Sequence, residues 1–163
     1  TIRQTDVLFE LVDNYINQSG CNLEHYDEKL EEIHSIESLQ PLLEKATEQQ
    51  LKTIFLFLHQ CCPNIRAVDL SSCKVSESFL AQLVVSYPAL TYLKLNYCSG
   101  VNDAGMAHIA TLRQLTFLSL FACKNVTENG LDKLRALQHL HYLDVDRCVN
   151  MNDPRSFDNR TGV

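Results

Sequence analysis

Cys73, Cys98, Cys123 and Cys148 stand 25 residues apart, and the same step relates whole columns of apolar residues around them. Ile65, Leu90, Leu115 and Leu140 form one column; Val68, Leu93, Leu118 and Leu143 form a second; Leu70, Leu95, Leu120 and Val145 form a third. Each unit reads L-x-x-L-x-L-x-x-C, with Ile or Val standing in at a few positions. An apolar residue follows each of the first three cysteines, as Val75, Val101 and Val126, and Met151 follows the fourth. Agreement in several columns at one period means that a single supersecondary unit is used again and again.

The unit's local structure follows from its pattern. The x-x-L-x-L-x-x stretch alternates, which predicts a strand with one face buried. Apolar pairs at i, i+3 come next, as Leu80/Leu83, Met106/Ile109 and Leu131/Leu134, and predict a helix with one buried stripe. Thr127 is placed to cap the helix carrying Leu131 and Leu134, and Asp103 to cap the one carrying Met106 and Ile109. Neither element can bury its apolar side alone, so the units must stack, with their strands in a parallel sheet. The expected fold is α/β: a right-handed βα solenoid of about four units.

The segments 90–109, LTYLKLNYCSGVNDAGMAHI, and 115–134, LTFLSLFACKNVTENGLDKL, resemble leucine-rich repeats of the cysteine-containing subclass. That subclass occurs in F-box/LRR substrate receptors of ubiquitin ligases and in related adaptors. Cys62-Pro63-Asn64-Ile65 is similar to the family's lead-in to a strand, and the resemblance covers about residues 62–153. It implies a curved leucine-rich-repeat solenoid with strands on the concave side and a role in binding protein. The F-box itself, with its Leu-Pro-led helix and Cys-x-x-Trp segment, has no counterpart here, and the chain has no Trp.

Residues 1–60 read as an acidic helical cap for the exposed end of the first unit, residues 61–153 as the repeats, and 154–163 as a tail. In the cap, Val7, Leu8, Leu11, Val12, Tyr15 and Ile16 trace a helical stripe closed by Gly20. A second helix is expected over about 28–46, with a break near Ser38 and Pro41. A third starts at the capping-box pair Thr47 and Gln50 and carries Leu51, Ile54, Phe55 and Leu58. At the other end Pro154 and a polar tail replace the expected helix. Three arrangements fit that end: a chain cut short, Phe157 folded back as a plug, or a partner covering the last unit. A chain opening on Thr1 is likewise what a processed or excised segment would show.

Composition narrows the function classes. Apolar residues make up 45% of the 163, enough for a packed core. Residues 1–60 hold 11 acidic and 4 basic side chains, and 61–163 hold 9 acidic and 10 basic, so no basic stripe points to nucleic acid. No apolar run approaches the roughly 18 residues of a membrane span, and no signal-peptide pattern opens the chain. No cofactor is expected, since neither G-x-x-x-x-G-K-[ST] nor G-x-G-x-x-G is present. The cysteine ladder suits buried turn-filling thiols better than a metal site, because rungs in a line do not converge on one point. His59, Cys61 and Cys62 lack zinc-site spacing, and His139, His141, Asp144 and Cys148 would need an exposed nucleophile that the ladder denies. Three glycosylation sequons by pattern, at Asn17, Asn125 and Asn159, count as coincidences in a cytoplasmic protein.

What the repeat leaves free is the outer side of its strands. Aligned by unit, the columns read Ala67, Tyr92, Phe117, Tyr142; then Asp69, Lys94, Ser119, Asp144; then Ser71, Asn96, Phe121, Asp146; then Ser72, Tyr97, Ala122, Arg147. Aromatic and arginine side chains exposed together have the composition of protein interfaces. The candidate protein-binding residues are therefore Tyr92, Lys94, Tyr97, Phe117, Phe121, Tyr142, Asp144, Asp146 and Arg147. The competing reading is that stacked rings merely stabilise the sheet through cross-strand pairs. The expectation is a non-enzymatic interaction module for a protein ligand. An adaptor or substrate receptor in a ubiquitin-type pathway, or a bacterial effector in a host cytosol, is what the resemblance implies. An enzyme or assembly factor with its site near His59–Cys62, or a fragment of a longer repeat protein, is the alternative.

Overall fold

The computed structural model describes residues 3–18 and 22–148. Gly20, the turn beyond Cys148, Met151, Pro154 and Phe157 lie outside the described residues, and with them the expected tail. The chain forms a mixed α/β structure around one parallel four-stranded sheet. Its strands are β1 (Ala67–Asp69), β2 (Tyr92–Lys94), β3 (Phe117–Ser119) and β4 (Tyr142–Asp144), in spatial order β1-β2-β3-β4. The register is the sequence period made physical: Ala67 pairs Tyr92, Tyr92 pairs Phe117, and Phe117 pairs Tyr142. The intervening side chains Val68, Leu93 and Leu118 point into the core and are fully buried, while Leu143 on the last strand is half-buried.

Each link back across the sheet is a helix: α4 (Glu77–Ser86), α5 (Asp103–Ile109) and the short α6 (Glu128–Asp132), continued by a 3-10 turn (Lys133–Ala136). With α3 (Glu48–Cys61) in front, these helices pack in chain order. Phe55 of α3 meets Phe79 of α4 edge-on, ring centroids 5.0 Å apart, at the centre of the α3–α4 contact. Thr47 and Gln50 close a full capping box on α3, and Thr127 caps α6. The cap of α5 is Asn102, whose side-chain oxygen accepts from the Gly105 amide at 2.9 Å, and not Asp103 as the pattern suggested. Asp103 is the first residue inside the helix and is drawn sideways. Its carboxylate accepts from the Thr127 amide at 2.8 Å and hydroxyl at 2.5 Å, tying α5 to the start of α6.

The segment before the sheet is less helical than its spacing suggests. α1 (Gln4–Asn17) is present, but the expected helix over 28–46 reduces to a 3-10 turn (Glu37–Leu39) and a single turn of α2 (Gln40–Leu43). Leu30, Ile33, Ile36 and Leu39 are all buried at steps of three. Tight turns satisfy that step as well as an α-helix does, and the Ile33 and Leu39 amides donate three residues back, to Leu30 and Ile36. The straightened path lets Ser35 form a parallel bridge to Ala67. The Arg66 and Ala67 amides both donate to the His34 carbonyl, just as Thr91 and Tyr92 both donate to Arg66. The N-terminal segment thus joins the sheet edge by the bonds that strands use among themselves. Among the described residues no helix is long and apolar enough to cross a membrane.

Candidate functional site

The turn after each strand fixes what the outer face can present. Ser72, Tyr97, Ala122 and Arg147 all have left-handed backbone, with φ between 58° and 62°. That conformation costs a non-glycine residue roughly 1–2 kcal/mol, and at three of the four a main-chain bond to the next turn works against it. The Ser72, Tyr97 and Ala122 amides donate at 2.8 Å to the carbonyls of Asn96, Phe121 and Asp146 on the next turn. The cysteine that follows then faces inward. The Cys98, Cys123 and Cys148 thiols donate to the carbonyls of Leu70, Leu95 and Leu120 in the preceding coil, at 3.1, 2.9 and 3.2 Å. The ladder is a set of coil-to-coil hydrogen bonds as well as packing. Burial pushes the thiols of Cys73, Cys98 and Cys123 up to about 12. All six cysteines among the described residues are free.

On the outer face the first column becomes a stack. The Tyr92 and Phe117 rings lie parallel with centroids 4.1 Å apart, and Phe117 and Tyr142 follow at 4.3 Å with planes 2° apart. Phe117 is covered on both faces, while Tyr142, at the end of the row, is 46% exposed. At the opposite end Tyr92 meets Glu37. Burial, then the Glu37 charge and its hydrogen bond, then the Asp69 charge, push the Tyr92 hydroxyl up to about 12. Glu37 also accepts from the Ser35 hydroxyl at 2.9 Å. Its place at this face was hidden by the helical reading of its segment.

The other columns divide. Lys94 and Asp144 are half-buried on their strands, and Asp146 is exposed. Asp69 and Asp144 each accept the amide two residues on, Ser71 at 2.9 Å and Asp146 at 3.0 Å, which fixes each carboxylate against its strand. Ser119, placed by the pattern among the free side chains, is only 2% exposed. Its hydroxyl bonds the Asn96 side-chain oxygen at 2.5 Å, and the same oxygen accepts from the Phe121 amide at 3.0 Å. Phe121 packs edge-on against Tyr97, 5.4 Å away, and the Arg147 guanidinium lies 5.4 Å from the Phe121 centroid. This second aromatic group borders a cavity of about 420 Å³ lined by Tyr97, Ser99, Ala122, Lys124 and Arg147. Ser99 and Lys124 belong to no column singled out from the sequence.

The nine candidate residues therefore fall into two neighbouring groups on the strand and turn side of the sheet. Tyr92, Phe117, Tyr142, Lys94 and Asp144 occupy the strand rows. Tyr97, Phe121, Asp146 and Arg147 occupy the turns. His59, Cys61 and Cys62 sit apart from both. His59 is exposed and packs edge-on against Tyr87, with centroids 5.9 Å apart. The Tyr87 hydroxyl, buried, donates to the Cys62 carbonyl at 2.9 Å. The Cys61 and Cys62 sulfurs are 3.4 Å apart, and the hydrogen bond to Cys61 together with burial pushes the Cys62 thiol up. Among the described residues no three His, Cys, Asp or Glu side chains converge as a metal site would require. No protein-family model matches the chain, and no curated protein sequence matches it.

Proposed function

We propose that the chain is a leucine-rich-repeat solenoid of the cysteine-containing kind, acting without chemistry of its own by binding a protein ligand on the concave side of its sheet. The observation that carries this reading is the stack of Tyr92, Phe117 and Tyr142, three large rings on the solvent side of successive strands. Rings of this kind bury much area at a small entropy cost when a partner lands on them. Lys94, Asp144, Asp146 and Arg147 around them supply the charges that orient a partner. The 25-residue strand register and the inward cysteines support the repeat assignment. Buried free thiols suit a reducing, cytoplasmic compartment. Within this reading the role is that of an adaptor or substrate receptor, in a ubiquitin-type pathway or as an effector in a host cytosol.

The test is affinity capture with the wild-type chain beside Phe117→Ala, Tyr142→Ala and Val85→Ser. Val85 is 80% exposed on α4 and serves as the control on the helical side. Proteins retained by wild type and by Val85→Ser but lost from both ring variants are ligands of the sheet face. Partners lost only with Val85→Ser would move the binding surface to the helices and overturn the proposal.

A further inference from the structure

Charge is unevenly distributed along the aromatic row. At the β1 end Glu37 and Asp69 both act on the Tyr92 hydroxyl. At the β4 end Asp144 follows Tyr142 on the strand and Asp146 lies in the turn beyond. Between these pairs the strand row holds one cation, Lys94, and the buried Ser119. Arg147, in the turn after β4, is spread over the Phe121 ring, and Arg66, just before β1, donates to the Ile65 carbonyl. The face therefore has two negative ends separated by a stretch of stacked rings.

We propose that the ligand of this face is an extended cationic segment laid across the strands, with two basic side chains four residues apart and an uncharged apolar one midway. The inference rests on the binding reading above and names the partner's chemistry. The spacing comes from the sheet. Asp69 and Asp144 share one row, three strand steps apart through Lys94 and Ser119. Three steps of about 4.8 Å make about 14 Å, which an extended chain at roughly 3.4 Å per residue covers in about four residues. Side chains at i, i+2 and i+4 of such a chain point the same way. When the outer two meet the carboxylate ends, the middle one comes down between Lys94 and Ser119, beside the Tyr92–Phe117 stack of the adjoining row, where Lys94 repels a third cation. The two aspartates are ready for this role. Each has one oxygen engaged by a main-chain amide, so the carboxylate is oriented before the ligand arrives.

The experiment is fluorescence anisotropy with the whole chain and fluorescein-labelled peptides in a Gly/Ser background. The reference peptide carries two arginines four residues apart with a leucine midway. Companions have the arginines three apart, arginine replaced by glutamine, arginine replaced by glutamate, or both arginines replaced by leucine. Expected is binding of the reference peptide that weakens with added salt and that falls with each companion. Asp69→Asn and Asp144→Asn keep the oxygen that holds the turn, and each should weaken the reference peptide about fivefold. The charge inference is overturned if the glutamine or glutamate peptide binds as well as the reference, or if the two Asn variants change nothing. It is overturned equally if no peptide binds. Should the leucine peptide bind best and lose that binding in Phe117→Ala, the charge inference falls while the sheet face stands as a binding surface. Should every peptide that binds ignore Phe117→Ala, both fall together.

Discussion

If the cysteine ladder is a hydrogen-bonding device, serine should replace cysteine better than alanine does. Cys123 is completely buried and its thiol donates to the Leu95 carbonyl of the preceding coil at 2.9 Å. That carbonyl also accepts the Cys98 amide at 3.3 Å, so losing the thiol does not strand it. Cys123→Ala then loses a net hydrogen bond of about 1 kcal/mol. It also loses about 0.8 kcal/mol of burial and a share for the small void, which together make about 2 kcal/mol. In Cys123→Ser the shorter carbon–oxygen bond lengthens the contact but keeps a donor facing the Leu95 carbonyl. Desolvation of the hydroxyl is largely offset, and about 0.5–1 kcal/mol is lost. Cys73 is the internal control: its sulfur reaches only Ser71 of its own turn, at 3.6 Å, so serine should hold no advantage there. Urea unfolding of the four variants, compared at equal m, reads both differences. A Cys123→Ser protein less stable than Cys123→Ala would show that the thiol acts as a plain hydrophobe and that the coil-to-coil bond contributes nothing.

Phe117→Ala removes two stacking partners at about 0.5–1.5 kcal/mol each, so it should lose about 1–3 kcal/mol in urea unfolding. Tyr142→Ala, with one partner, should lose about half of that, and equal losses would contradict the stack. Gly100→Ala would set its Cβ 1.9 Å from the Val75 carbonyl oxygen, a main-chain atom of the preceding coil, and should lower the midpoint sharply. Gly105→Ala meets the Leu80 methyl at 2.8 Å, the end of a flexible side chain, and the Asn102 oxygen at an ordinary 3.6 Å, and it gains helix propensity, so it should be far milder. With thiol values raised from 9.0 to about 12 at Cys73, Cys98 and Cys123, the neutral form is favoured by the fold. That contribution is fully present below pH 9 and is lost as pH rises towards 12, where the unfolded chain ionises first. Iodoacetamide at pH 8.5 should leave these three unlabelled until denaturant is added, and rapid labelling of the native protein would refute their burial.

The sheet was legible because its register and its sequence period are one quantity. A shift by one residue would turn Val68, Leu93 and Leu118 to solvent. The 28–46 segment was misread because burial every three residues is common to α-helices and to tight turns, and no glycine or further proline separates them there. Deciding between the two needed the bond from Ala67 to His34, a contact between residues 33 apart. For the candidate surface, alternation placed Tyr92, Phe117 and Tyr142 on the outer face, but it could not tell Ser119 from its neighbours. Ser119 is buried and bonds the Asn96 side-chain oxygen of the neighbouring strand's turn, a contact across columns that alternation does not reveal. Glu37 was out of reach for the same reason. Its role depends on the Ser35 bridge, and that bridge follows from the straightened path rather than from any motif.

Stabilising the sheet and docking a ligand are competing readings of the aromatic column, and under the binding proposal they are parts of one device. Stacked at 4.1 and 4.3 Å, the rings cover each other's faces and turn their edges to solvent. Phe117, held on both sides, has given up its rotamer freedom on folding, so a ligand need not pay that cost again. Ring edges carry the positive part of the aromatic quadrupole and offer a cation little, whereas an apolar side chain gains contact there at no electrostatic cost. Attraction for a cation has to come from the carboxylates at the two ends, and it does so without disturbing the stack. In the proposed complex the stack sets where an apolar side chain lies, and the aspartates set how far from it the charges fall. A variant that loosens the stack should blur that spacing before it abolishes binding. Phe117→Leu fills the column without stacking, and it should narrow the preference between arginines four and three apart while retaining measurable affinity. Unchanged discrimination in Phe117→Leu would mean that the aspartates alone set the register and that the rings serve only the sheet.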